Sequence, residues 1–376
     1  MIEKKLRISF CIVCRNRLDQ LKETLLKNIE DNEDYSNLEF LILNYNSQDE
    51  MHSWVKRNLQ KYIKAGRINY YRTTDPVEFS HSHSKNIAFN LANGALLCNI
   101  NADHFTGKGF AAYINSEFTK DENIVLTTID YYSTKKDYRV PRDLWGRVCL
   151  KKDDFIMIRG FDEEMDRYAY EDFDFVNRLE MAGVKRVLIE NPSFLKYLSH
   201  SEEKRYSLNN DAYIIKYTFI NYINPCSSEF IFLYQDHHFE RGTLVDNFSA
   251  NSHDFTYAYK TRIEKYEYDL KGNEFMKGNW NENNNEIRLV SQKGGHHVLV
   301  KNSGEDKYIL RERKRELHFY KINDQISMEL FTRFNYIFHN RIAMQKNIAE
   351  SRIKVNMGGF GKAKIYKNFD PDQYIY

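Results

Sequence analysis

The sequence predicts an α/β protein in which a mostly parallel sheet carries helices on both faces, followed by a small β-rich region, a C-terminal helix and a tail. Three observations predict it. Apolar runs of strand length alternate with amphipathic stretches of helical period over the first half. Those runs end in short polar segments rich in Asn. Past residue 236 the apolar period changes to two and turn pairs such as Gly294-Gly295 appear.

The first run, Ile8–Val13, is apolar almost throughout, as a strand covered on both faces must be, and Leu18, Leu21, Leu25 and Ile29 follow at helical spacing. Leu38–Leu43 is a second such strand, and Trp54, Val55, Tyr62 and Ile63 mark a second helix. Ile68–Tyr71 gives a third strand. A helix over Lys85–Leu91 leads through the Asn93-Gly94 turn into a fourth strand, Ala95–Ile100, which ends at Asn101-Ala102-Asp103-His104. Strand, helix and strand in succession imply right-handed crossovers and parallel pairing. Ligands of such sheets bind beyond the carboxyl ends of the strands, where Cys14–Arg17, Asn44–Ser47 and Asn101–His104 all fall. Val184–Ile189 reads as a later strand.

In the β-rich part Ile287 and Leu289 alternate with polar residues, Gly294-Gly295 turns the chain, and Val298 and Val300 alternate again. Asn302-Ser303-Gly304 makes another turn, and Leu317–Ile322 a last strand. From Ser327 onward Met328, Phe331, Phe334, Phe338 and Ile342 share one helical face, and the rest is irregular and basic. The expected boundaries are an α/β domain over 1–235, a β-rich domain over 236–325, and a helix with basic tail over 326–376.

The formal charge of +2, from 55 basic and 53 acidic residues, excludes a general polyanion binder and hence nucleic acid as a partner. The 27 Tyr and 25 Phe suit sugar faces, nucleobases and ordinary cores alike, so they choose none of these. Of five cysteines only Cys11 and Cys14 are close in sequence, and both lie in or beside the first apolar run. No second pair completes a zinc site, and a redox pair belongs in a turn that opens a helix, so both are read as small core residues. A reduced, cytoplasmic chain is expected. The stretch after Lys4, Lys5 and Arg7 is too short for a signal-peptide core, and no later run spans a bilayer, so the protein is expected to be soluble or peripheral at the inner face of the membrane.

The strand-end segments and one later block carry a family resemblance. Gly160-Phe161-Asp162-Glu163, Tyr170-Glu171-Asp172-Phe173-Asp174-Phe175, Arg178-Leu179 and Ala182-Gly183 resemble the catalytic motif shared by the β-1,4-galactosyltransferases and the polypeptide N-acetylgalactosaminyltransferases. Cys14-Arg15-Asn16-Arg17 matches the Asn-Arg end of the first-strand turn of family 2 glycosyltransferases of the A-type fold. Asn44-Tyr45-Asn46-Ser47 stands where that family has Asp-Asp-Gly-Ser against uracil and ribose. His83-Ser84-Lys85-Asn86 resembles its Ala-Arg-Asn segment beside the diphosphate, and Asn101-Ala102-Asp103 stands for Asp-x-Asp. His200 follows in Tyr197-Leu198-Ser199-His200, where related families place a metal-binding histidine.

The resemblance implies a donor site of Asn16, Arg17, Asn44, Asn46, Lys85, Asn86, Asn101 and Asp103. Asp103 and His200 would hold Mn2+ or Mg2+ on the diphosphate. Asp172 would be the base, and Glu171 would bind the acceptor or orient its loop. The chemistry is sound on its own terms: acids in a first helical turn are favoured by the macrodipole and stay ionised, and an ionised carboxylate can take the proton of an attacking hydroxyl. Such acids also occur in helices that are merely well capped, and a strand-end Asp is also an ordinary turn former.

The expected activity is inverting transfer of a hexose or N-acetylhexosamine, galactose or N-acetylgalactosamine, from a UDP-sugar to a glycan or lipid-linked glycan in polysaccharide biosynthesis. Asn44 and Asn101, which replace carboxylates of the family pattern, keep open an alternative: a non-catalytic glycan-binding or scaffold protein on the same fold. The basic tail, with Arg333, Arg341, Lys346, Arg352, Lys354, Lys362, Lys364 and Lys367 against Glu350, suits either packing on the body or contact with an anionic membrane surface. Gly358–Lys362 lacks the spacing of a phosphate loop. In His237-His238 and His296-His297, neighbours on a strand point opposite ways, so neither pair is a natural chelate.

Overall fold

The computed structural model describes residues 5–75, 78–129, 144, 146–165, 169–199, 214–224, 227–245, 276–284, 286–302, 306–312, 315–369 and 374–375. The chain divides into two compact units, Met1–Leu208 with Ala343–Tyr376, and Asn209–Ile342.

In the first unit β1 (Ile8–Cys14), α1 (Leu18–Asp31), β2 (Leu38–Tyr45), α2 (Met51–Asn58), α3 (Gln60–Lys64), β3 (Ile68–Thr73), α4 (His81–Leu91) and β4 (Leu96–Asn99) follow the predicted alternation. Next come β5 (His104–Phe105), α5 (Phe110–Lys120), β6 (Ile124–Thr127), β7 (Val148–Lys151), α6 (Lys152–Met157), α7 (Glu171–Met181), β8 (Lys185–Leu188) and β9 (Lys196–Tyr197). Together with the C-terminal strands β18 (Ile365–Lys367) and β19 (Tyr374–Ile375) they form a nine-stranded sheet of order β19-β18-β3-β2-β1-β4-β7-β6-β8, with β5 and β9 pairing separately. The strands β3, β2, β1 and β4 run parallel, as do β6 and β8, while β7 is antiparallel to both β4 and β6. This is the predicted α/β architecture, a mostly parallel sheet with helices packed on it.

All eight residues of β2 are buried, which explains why its sequence does not alternate. Phe10, Phe40 and Phe110 meet across the sheet and α5, with ring centres 5.4 and 5.8 Å apart. Burial of each such side chain stabilises the fold by about 1.5–3 kcal/mol. Cys11 and Cys14 are free and buried, as core residues should be. Cys98 and Cys149 face each other across the paired strands β4 and β7. They meet because β7 inserts beside β4, a pairing that their separation of 51 residues does not reveal.

Three other elements differ from expectation. The second helix breaks at Leu59 into α2 and α3. Helix α4 starts at His81 rather than Lys85, because the Ser80 hydroxyl accepts from the His83 N–H and caps it. The tail is not irregular throughout, since β18 adds to β3 at the sheet edge.

The second unit is a closed antiparallel barrel of β10 (Ile215–Asn224), β11 (Ser227–Tyr234), β12 (His238–Val245), β13 (Met276–Asn283), β14 (Glu286–Ser291), β15 (His296–Lys301), β16 (Lys307–Glu312) and β17 (Arg315–Ile322). Among the described strands closure leaves no exposed edge. Phe219, Ile231, Phe239, Trp280, Leu289 and Phe319 are among the residues of its core. Residue 235 falls inside this barrel, just after β11. Helix α8 (Gln325–Ala349) follows. Among the described residues no helix is long and apolar enough to cross a membrane.

Candidate active site

The parallel register sets Cys14 opposite Asn44 and Cys11 opposite Asn99, so the carboxyl ends of β1, β2 and β4 lie together. Their polar residues first satisfy the turns they make. The Asn44 side chain accepts from the Ser47 N–H at 2.9 Å and donates to the Tyr70 hydroxyl at 3.1 Å. Asn16 accepts from the Gln48 N–H at 2.7 Å, and its own N–H donates to Ser47 Oγ at 3.1 Å. Both Asn16 and Asn46 adopt left-handed backbone, which Asn tolerates better than most residues. Asp49 ties the two ends together by accepting from the Leu18 and Met51 N–H groups, each at 3.1 Å.

The carboxylate pair comes from the start of α7. Ala169 and Tyr170 precede it, both at positive φ although neither is glycine, a conformation that recurs where a functional segment must be aimed. Lys85 of α4 donates from Nζ to Glu171 Oε1 at 3.0 Å and to Asp172 Oδ1 at 2.6 Å. His81 Nδ1 lies 3.9 Å from the same Glu171 oxygen. Burial would raise Glu171, but the Lys85 ammonium and His81 hold it below its ordinary value. Burial pushes the Asp172 carboxyl up to about 6, opposed by Lys85 and reinforced by the Glu171 charge. Burial keeps His81 low, at about 4, so its ring is neutral near pH 7.

Gly146 closes the site from the other side. A Cβ at that position would lie 3.1 Å from Asn101 Nδ2 and 3.2 Å from Asp172 Oδ2, so both side chains converge on its backbone. Asn99 fixes this corner by donating to the Gly146 carbonyl at 2.7 Å and to Asn101 Oδ1 at 3.1 Å. The arrangement brings an ionisable carboxylate and an amide to the end of β4, where a hydroxyl and a departing anion can be handled together.

The rest of the acidic block is scaffold. Asp174 and Arg178, one helical turn apart and fully buried, bond at 2.6 Å, and the other arginine nitrogens donate to the carbonyls of Ile158, Ile353 and Gly160. Asn347 of α8 donates to Asp162 at 2.8 Å and to Asp174 at 2.9 Å. Gly160 has φ of +74°, and a Cβ there would meet Asn86 Oδ1 at 2.4 Å, so only glycine fits.

Lys85, expected beside the diphosphate, is thus the counterion of the two carboxylates. Asn86, expected with it, is buried in the turn at Phe161–Glu163, donating to the Phe161 carbonyl and to Glu163 Oε1 and accepting from the Phe161 N–H. Asn44 has both amide ends engaged in the fold, and Asn16, Asn46 and Arg17 lie on the same rim. Sequence reasoning passed over His81, Asn99, Gly146 and Arg147. The one available signal was the Ser80 cap, which extends α4 back to His81.

Asp103 is the carboxylate expected to hold the metal. Its charge faces the guanidinium groups of Arg17 and Arg147, and His104 Nε2 lies 3.7 Å from it. Its carbonyl accepts from the Leu198 N–H at 2.8 Å, while His200, two residues on, lies outside the described residues. Among the described residues no three metal-ligating side chains gather. One carboxylate fits a single contact to an ion that arrives with substrate phosphates, a common way of holding Mg2+, but does not by itself make a resident site.

Residues 9–181, from within β1 to the end of α7, match the family model described as Glycosyl transferase family 2. No curated protein matches the sequence. Among solved structures the chain is similar to the mannosyltransferase PcManGT from Pyrobaculum calidifontis in complex with GDP-Man and Mn2+, at 16% identity over 50% of this chain and 56% of that one, TM-score 0.41. It is also similar to S. aureus TarS 1-349 in complex with UDP, at 13% identity over 54% and 63%, TM-score 0.39. The complex of TarS 1-349 with UDP-GlcNAc gives 12% identity over 54% and 61%, TM-score 0.39. The chain therefore spans less than two thirds of these structures.

Proposed function

We propose that this chain is an inverting glycosyltransferase that uses a nucleoside-diphosphate sugar, with Asp172 as the base. The observation that carries the reading is the Asp172 carboxylate, paired with Lys85 and set against Gly146 and Asn101 at the end of β4, inside the segment that matches family 2 glycosyltransferases. The resemblance of the acidic block to galactosyltransferase motifs favours UDP-galactose or UDP-N-acetylgalactosamine as donor. A glycan or lipid-linked glycan would be the acceptor, met at the cytoplasmic face of a membrane.

In the proposed step an acceptor hydroxyl gives its proton to Asp172 as its oxygen bonds the anomeric carbon, and the bond from that carbon to the diphosphate oxygen breaks with inversion. Lys85 and Glu171 hold Asp172 in place, and Lys85 keeps it ionised near neutral pH. A Mn2+ or Mg2+ ion held by Asp103 and His200 on the phosphates would neutralise charge on the leaving group.

The test is release of nucleoside diphosphate from UDP-galactose, UDP-N-acetylgalactosamine, UDP-N-acetylglucosamine and GDP-mannose, with Mn2+ or Mg2+ and a glycan mixture. Release is expected from at least one, most from the first two. Glycan binding without release from any donor would favour the scaffold reading to which Asn44 and Asn101 point.

A further inference from the structure

Among the described residues of the first unit two arginines are wholly buried, and they differ in one respect. Every guanidinium nitrogen of Arg178 donates to a named acceptor. Arg147 has only the bond from Nη2 to the Phe105 carbonyl at 3.0 Å, with its guanidinium over the Phe110 ring at 5.4 Å. Its Nε–H and Nη1–H meet no acceptor among the described residues. Leaving a buried donor unpaired is costly, and more so when it is charged, so two such donors on one fixed cation point to an anion that completes them.

The surroundings indicate which anion. Arg147 directly follows Gly146, on which Asn101 and Asp172 converge. It shares the field of Asp103 with Arg17, so one carboxylate faces two guanidinium groups. Asn101, where the related pattern has a carboxylate, adds no negative charge. Adjacent N–H groups on a planar guanidinium match two oxygens of a phosphate.

We infer that Arg147 binds the diphosphate of the donor, its Nε–H and Nη1–H donating to phosphate oxygens, so that part of the leaving-group charge is met by the protein itself without a divalent ion. The inference rests on the nucleotide-sugar reading above.

Calorimetry with UDP and with uridine, on the full chain in EDTA and in Mn2+, tests this with wild type, Arg147→Gln and Arg147→Lys. Wild type should bind UDP in EDTA, and Arg147→Gln should bind it about tenfold to a hundredfold more weakly with uridine affinity unchanged. Arg147→Lys, which keeps the charge and loses the fork, should fall between, and it decides the matter if Arg147→Gln does not fold. UDP affinity equal to wild type in the folded variant, or an equal loss for uridine, overturns the role of Arg147 alone. A wild type that binds neither UDP nor uridine in either buffer overturns the nucleotide-sugar reading and this inference with it.

Discussion

Lys85 sits between two acids, and the chemistry of the site depends on that placement. Without the ammonium, burial would hold the Asp172 proton at still higher pH, and a protonated carboxyl cannot accept another. Folding raises this carboxyl from an ordinary value of about 4 to about 6. Its contribution to stability is therefore present below pH 4 or so and lost as the pH rises through about 6, while its use as a base runs the other way. The acid limb of kcat/KM should have its midpoint near pH 6. Lys85→Met should move that limb to higher pH, and Lys85→Arg should largely restore it. A limb that stays in place in Lys85→Met would remove Lys85 from the control of the base.

At the scale of elements, α7 divides its acids by helical position. Glu171 and Asp172 in the first turn face Lys85, while Asp174 turns with Arg178 into the core. Asn347 of α8 anchors that buried side, so Asn347→Ala would remove the donor to Asp162 Oδ2 and to Asp174 Oδ1. The expected loss is about 1–3 kcal/mol or more in chemical denaturation, and a change under about 0.5 kcal/mol would show that the network is not structural. The acidic block was legible because its residues are close in sequence. The duty of Asn86 was not, because its partners Phe161 and Glu163 lie 75 and 77 residues away. Arg147 gave no signal either, since a lone arginine before a strand reads as surface until its burial is known. In β10 the strand period was hidden because Phe219 points into the barrel while Ile220, next to it, packs in a second apolar cluster with Phe230, Phe232 and Ile342.

On the scale of the whole molecule, the chain leaves the first unit for the barrel and comes back to it. The returning segment 343–376 supplies the anchor Asn347, the strand β18 that pairs with β3, and the Gly361 N–H that donates to Glu163 at 2.8 Å. The parallel half of the sheet was readable from its apolar runs. The closed barrel was foreseen only as β-rich, because closure depends on pairing β10 with β17, strands about a hundred residues apart in sequence. What the molecule as a whole does turns on one separation, between holding a nucleotide and transferring its sugar. Asp172→Asn, nearly isosteric and unable to take a proton, should bind UDP like wild type while sugar transfer falls by at least about a hundredfold. Transfer at the wild-type rate by a folded Asp172→Asn would contradict the assignment of the base.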